Sequence, residues 1–194
     1  ETGGSVNLTG VGFAMVSNTA YGPGAGDRNS SRGGGGASYG GEGGLDAELL
    51  ATESSAYGSS TNPTQLGSAG GDGNNGSGPG GQGGGLVILD IAGTTTIDGT
   101  IVANGAAGQS GEGSGGGSGG AINITTGGLE GTGSLAVNGG NGDNAFYDGG
   151  GGGGGRIAVN YFSGSTTNLT LQAFGGGNLT SFNRAAAGTI FTKS

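Results

Sequence analysis

Three apolar stretches, each entered through glycine, recur along the chain at a constant interval: Leu86-Val87-Ile88-Leu89-Asp90-Ile91, Ala121-Ile122-Asn123-Ile124-Thr125-Thr126 and Arg156-Ile157-Ala158-Val159-Asn160-Tyr161. They align without a gap at steps of 35 residues. In the second copy Ile122 and Ile124 alternate with Asn123 and Thr125, the period-two pattern of a strand with one buried face. In the first copy Val87, Leu89 and Ile91 alternate with Ile88, which predicts a strand covered on both faces. A companion strand follows each stretch: Thr96 to Gly105 matches Gly131 to Gly139 at an offset of 34, with Gly99 on Gly133 and Asn104 on Asn138. Asn before Gly at the end of this companion predicts a corner in the left-handed conformation. Leu171-Gln172-Ala173-Phe174 repeats the companion loosely, and Gly188-Thr189-Ile190-Phe191-Thr192 begins a fourth first strand. At the other end Gly4 to Gly10 resembles a companion with no first strand before it, so the two ends read as halves of one layer.

A fixed period implies one supersecondary unit copied along an axis, each copy burying its apolar face on its neighbours. The predicted fold is therefore all-β, a right-handed parallel β-helix (β-solenoid) of about three to four rungs. It is expected as a single domain over 1–194, with an incomplete rung at 1–16 and a long glycine-rich insertion at 17–82. Three repeated rungs at 83–188 and an incomplete one at 189–194 follow.

Glycine changes this picture, because 57 of 194 residues are Gly. That is about four times the ordinary share, a composition that by itself predicts disorder. The β-branched strands oppose that default. Collagen is excluded by three Pro residues and the lack of a strict three-residue period. The tracts at 33–44, 67–85, 105–120 and 138–155 are expected to pack as polyglycine-II-like bundles, the alternative being mobile loops. Leu45, Ala47, Leu49 and Leu50 interrupt the pattern and suggest a short helical turn or capping patch, closed by a turn at Asn62-Pro63.

Thirteen acidic against five basic residues give a net charge of −8, which disfavours nucleic acid and anionic membranes as partners. No stretch approaches the length of a membrane span. No charged and apolar leader precedes Glu1, so the chain reads as a mature product or an excised portion. The absence of His removes the commonest general base, and the absence of Cys removes thiolate nucleophiles, disulfides and thiolate metal sites. Ser and Thr hydroxyls then have no evident activating base.

The remaining candidate chemistry is sparse. Asp90 and Asp98 on successive strands could form a carboxylate pair for glycoside cleavage, but they have no counterparts in the other copies and a turn-capping or solvated role is expected. Asp72, Asp143 and Asp148 are the candidate oxygen ligands for calcium, within turn sequences that only begin like calcium loops. No other cofactor is expected. Asn7, Asn29, Asn75, Asn123, Asn168 and Asn178 open N-x-Ser/Thr sequons, hence candidate glycosylation sites on an outer surface. The Thr94-Thr95-Thr96 run reads as an outward ladder, or as attachment points for O-linked sugar. Phe146, Tyr147, Phe162, Phe174 and Phe182, concentrated in the C-terminal third, read as core or interface packing rather than as a sugar-binding patch.

The segment from Gly83 to Gly105, with Gly117 to Ile124, Tyr39 to Gly44, Tyr57-Gly58-Ser59 and Pro63 to Ser68, resembles the glycine-rich repeats of large secreted and cell-surface proteins. That resemblance implies a parallel β-helix in surface architecture with no enzymatic residues to carry over. The tracts are also similar to those of phage tail-fibre-tip adhesins and springtail antifreeze proteins, from which this chain departs by its strands between tracts.

The functional expectation is a non-enzymatic structural subunit of an extracellular, cell-surface filament whose partners are copies of itself, stacked head to tail. Val6 and Leu8 are expected to meet Ile190 and Thr192 across the junction, because a free strand edge recruits another chain. The alternatives are an adhesin or glycan- or ice-binding module, and a polysaccharide-degrading enzyme.

Overall fold

The computed structural model describes residues 3–28, 33–46, 54–74, 78–109, 111, 113–145, 147–177 and 183–194. Ten strands occur among them: β1 (Ser5–Asn7), β2 (Met15–Val16), β3 (Thr19–Ala20), β4 (Leu86–Thr96), β5 (Thr100–Val102), β6 (Ala121–Glu130), β7 (Ser134–Ala136), β8 (Arg156–Gly164), β9 (Thr170–Gln172) and β10 (Thr189–Lys193). One four-stranded parallel sheet has the order β1-β5-β7-β9 and a second the order β10-β8-β6-β4. β2 and β3 form a small antiparallel pair. Its two-residue turn, Ser17-Asn18, has φ of 48° and 61°, the doubly positive geometry that suits a tight hairpin.

The 35-residue period is the register of the longer sheet. Leu86 pairs with Ala121 and Ala121 with Arg156, so Val87, Ile122, Ile157 and Ile190 form one column, and Leu89, Ile124, Val159 and Thr192 the next of the same facing. In the shorter sheet Val6, Ile101, Leu135 and Leu171 form the matching column. Ile122, Ile124, Ile157, Val159 and Leu135 are fully buried in the shared core. Burial of each such side chain stabilises by about 1.5–3 kcal/mol. A register shift between Ile91 and Thr94 bends β4. The buried Thr126 supports the bend, its Oγ1 lying 2.9 Å from the Gly93 carbonyl and 2.8 Å from Thr95 Oγ1.

The expected right-handed parallel β-helix is corrected by this topology. The described residues form two separate parallel sheets and a small antiparallel one with almost no helix, and no solenoid is shown. The reason lies in the backbone accounting between strands. Among the described residues the chain adds no third strand there; it runs through glycine tracts bonded sideways to segments outside the repeat. Ala37 N–H donates to Gly116, Gly153 N–H to Ala37, Gly150 N–H to Gly34, and Gly40 N–H to Gly154. The N-terminal half is thus woven into the repeats rather than inserted between them.

These tracts are packed, with Gly33 to Ser38 and Gly149 to Gly155 buried. At Gly36 a β-carbon would lie 1.8 Å from the Gly151 carbonyl oxygen, so this approach admits no side chain. The tracts are anchored to the sheet by Arg156, which is 7 % exposed. Its Nε donates to the Tyr57 carbonyl at 2.9 Å and its Nη1 to Thr189 Oγ1 at 3.0 Å, while its guanidinium carbon stands 5.5 Å from the centre of the Tyr39 ring. Tyr57 in turn donates its hydroxyl to the Leu66 carbonyl at 2.7 Å. Burial raises the pKa of both tyrosines.

Two local expectations also change. Asn104 and Asn138 do not take the left-handed corner, since Ser17 and Asn18 are the only described non-glycine residues with positive φ. Their side chains instead accept backbone N–H groups of the adjoining layer. The strand β4, expected to be covered on both faces, has Ile88 54 % exposed because it lies at a sheet edge. Of the expected patch at 45–50, Leu45 is half-buried outside any helix or strand, and Ala47, Leu49 and Leu50 lie outside the described residues.

Candidate functional site: the open sheet edges

Both sheets stop with one backbone edge unpaired at each end. Within each sheet the order of strands follows the chain by alternate steps, so β1 and β4 end the stack on one side, and β9 and β10 on the other. Among the described residues no strand pairs with the outer edge of any of these four. A parallel edge presents a row of N–H and C=O groups with no partner, a template for another strand.

The β1/β4 end is recessed. Gly4 and Val6 of the β1 side, Leu89, Thr95 and Thr96 of β4, and Ile97 to Ile101 line an open cavity of about 400 Å³. It lies where the apolar core reaches the end of the stack, beside β1, which pairs with β5 but has no first-strand counterpart in the longer sheet among the described residues. Val6 is 48 % exposed, and Ile88 stands outside on the same edge. The β9/β10 end instead presents apolar side chains: Ile190, 45 % exposed, continues the buried column of Ile122 and Ile157. Thr192 is exposed above Val159.

Val6 and Ile190, expected to meet at a junction, therefore lie at opposite ends of the chain's two sheets. Leu8 packs partly against the core, its N–H donating to Val102 at 2.7 Å.

The other sequence candidates do not converge. Asp72 is 1 % exposed, with Arg28 Nε 3.7 Å from its Oδ2. Burial raises its pKa, opposed by the Arg28 charge. Asp143 Oδ2 accepts the N–H groups of Gly111 at 2.9 Å and Gly113 at 3.0 Å, which closes a loop. Asp148 is half-buried. Among the described residues no group of three or more acidic, His or Cys side chains is placed to hold a metal ion. Asp98 Oδ1 accepts the Thr132 N–H at 3.1 Å across a turn, whereas Asp90 is exposed on β4.

Of the sequon residues, Asn7 and Asn168 are exposed. Asn123 is 7 % exposed and donates its amide to Asn62 Oδ1 at 2.8 Å, leaving no room for a glycan in the folded chain. Asn29, Asn75 and Asn178, with Phe146 and Phe182, lie outside the described residues. Phe162 is 93 % exposed, and Phe174 59 %, so neither packs in the core. No described helix is long and apolar enough to cross a membrane.

Sequence reasoning missed the outer column Asp90, Thr125, Asn160, Lys193, exposed except for the half-buried Asn160. The signal was present in the aligned repeats, where Asp90, Thr125 and Asn160 occupy one position and the sequence's single lysine occupies it in the fourth. Among known protein families, curated proteins and solved structures, none matches this chain.

Proposed function

We propose that the chain is a structural subunit of an extracellular filament, assembling head to tail by strand pairing between copies. The observation that carries this reading is the open outer edge of β1 and of β4 at one end and of β9 and of β10 at the other, four open edges among the described residues. Docking the β9/β10 end of one copy on the β1/β4 end of the next makes each sheet continuous. A contact of this heterologous kind does not close on itself and grows into a fibre. The backbone edges supply sequence-independent affinity for another strand, and the exposed Ile190 and Val6 add apolar surface on the two faces.

In this arrangement Ile190 and Val6 occupy one layer, facing each other across the core. The exposed Asn7 and Asn168 support a glycosylated outer surface. The subunit acts through packing, without a catalytic step.

Electron microscopy of the purified chain tests the proposal: fibres are expected, and Ile190→Asp should leave folded monomers without them. A wild-type chain that remains monomeric at high concentration would overturn the reading, and a monomer that binds glycans would replace it with the adhesin.

A further inference from the structure

Resting on that head-to-tail reading, we infer that the junction has one specified register, in which Lys193 of one copy stands beside Asp90 of the next. Edge strands alone leave register open, because backbone groups pair equally well after a slip. The side chains at these two edges do not.

Within the chain each pairing of the longer sheet keeps the same order, so Thr189 stands beside Arg156, Arg156 beside Ala121 and Ala121 beside Leu86. Continuing that order by one step sets Thr189 of one copy beside Leu86 of the next. The following positions are then fixed. Ile190 meets Val87, extending the column of Ile122 and Ile157. Phe191 meets Ile88, the apolar side chain left 54 % exposed on the outer face. Thr192 meets Leu89 at the mouth of the recess. Lys193 meets Asp90, and both are exposed on the same outer face.

The shorter sheet agrees independently. Its columns Ser5-Thr100-Ser134-Thr170, Val6-Ile101-Leu135-Leu171 and Asn7-Val102-Ala136-Gln172 repeat in the same way. One further step sets Thr170 beside Ser5, Leu171 beside Val6 and Gln172 beside Asn7: hydroxyl on hydroxyl, apolar on apolar, amide on amide. A slip of one residue in either sheet turns every inward side chain outward.

Charge strengthens the choice. In a chain of net charge −8, copies repel, and the only lysine lies on the edge that must approach an aspartate. Like charges directly opposite on neighbouring strands destabilise pairing. Lys193 thus selects the β4 edge and marks one position along it.

Charge reversal tests this directly, with assembly measured by sedimentation of the full chain over a range of concentrations. Lys193→Glu alone and Asp90→Lys alone each set like charges at the junction, and each should raise the critical concentration about threefold or more. An equimolar mixture of the two should assemble like the wild type, because every junction in an alternating fibre then pairs opposite charges. The double variant Asp90→Lys/Lys193→Glu should do the same alone. Unchanged assembly of the single variants, or a mixture no better than its parts, overturns the register. If Ile190→Asp stops fibres while charge reversal does not, the head-to-tail reading stands and the register alone falls; if the wild type forms no fibres, both fall.

Discussion

Asn104 Oδ1 accepts the backbone N–H of Asn138 at 2.7 Å, and Asn138 Oδ1 accepts that of Phe174 at 2.8 Å. The same asparagine position in successive layers therefore ties each layer to the next just beyond β5, β7 and β9. Asn138 also donates its amide to Gln172 Oε1 at 3.3 Å. The ladder runs beside backbone bonds that continue past the strand ends, Gly105 N–H to Asn138 and Gly139 N–H to Phe174 at 2.8 Å each, where the chain turns into glycine tracts.

Removing one step of this ladder leaves a half-buried N–H without its acceptor. Asn104→Ala should destabilise the chain by about 1–2 kcal/mol, and Asn104→Asp, which keeps an acceptor, by less. Urea denaturation followed by circular dichroism checks this, and equal losses for both variants would show that the oxygen is not what matters.

The glycine block predicts a sharp contrast between two similar substitutions. At Gly36 an added methyl meets the Gly151 carbonyl oxygen at 1.8 Å, where neither partner is a flexible side chain. At Gly93 nothing lies within 4 Å. Gly36→Ala should cost at least about 3 kcal/mol and could prevent folding, whereas Gly93→Ala should change stability by less than about 1 kcal/mol. Thermal melts of the pair measure the difference; similar melting temperatures would mean that the tracts are not packed at van der Waals contact.

Asp72 makes stability depend on pH in a direction opposite to that of an exposed ion pair. Burial raises its folded pKa above the ordinary value of 3.8, with Arg28 opposing the shift. The folded chain then holds its proton more tightly than the unfolded chain, so stability from this group is fully present below pH 3.8 and is lost as pH rises through the folded pKa. Denaturant midpoints from pH 4 to 7 for the wild type and Asp72→Asn should diverge, the wild type falling relative to the variant as pH increases. A wild-type curve that rises relative to the variant would show the Arg28 attraction to outweigh burial.

Much of the strand pairing was legible beforehand, because a period in sequence becomes a register in space when the same layer is repeated. The matched stretches at Leu86, Ala121 and Arg156 pair residue for residue as aligned, and the offset of 34 between the companions is the pairing of Ile101 with Leu135. What pattern could not reveal was where β4 sits: its two-sided apolar character reads like a buried strand, yet it is an edge with Ile88 outside. Nor could it place Asn104 and Asn138, since an Asn-Gly pair suits a left-handed corner as well as a ladder.

The sequence by itself determined the spacing of the layers, the inward columns and the lack of His and Cys chemistry, because these depend only on residue identity and period. Tertiary structure decided how the glycine tracts are satisfied. Glycine carries no side-chain pattern from which a partner can be inferred, and its N–H and C=O groups bond with any strand that approaches closely enough. The choice of Gly116 for Ala37, or Gly154 for Gly40, was settled only when all the segments packed together, and with it the difference between a coil of rungs and two sheets bound to a glycine block.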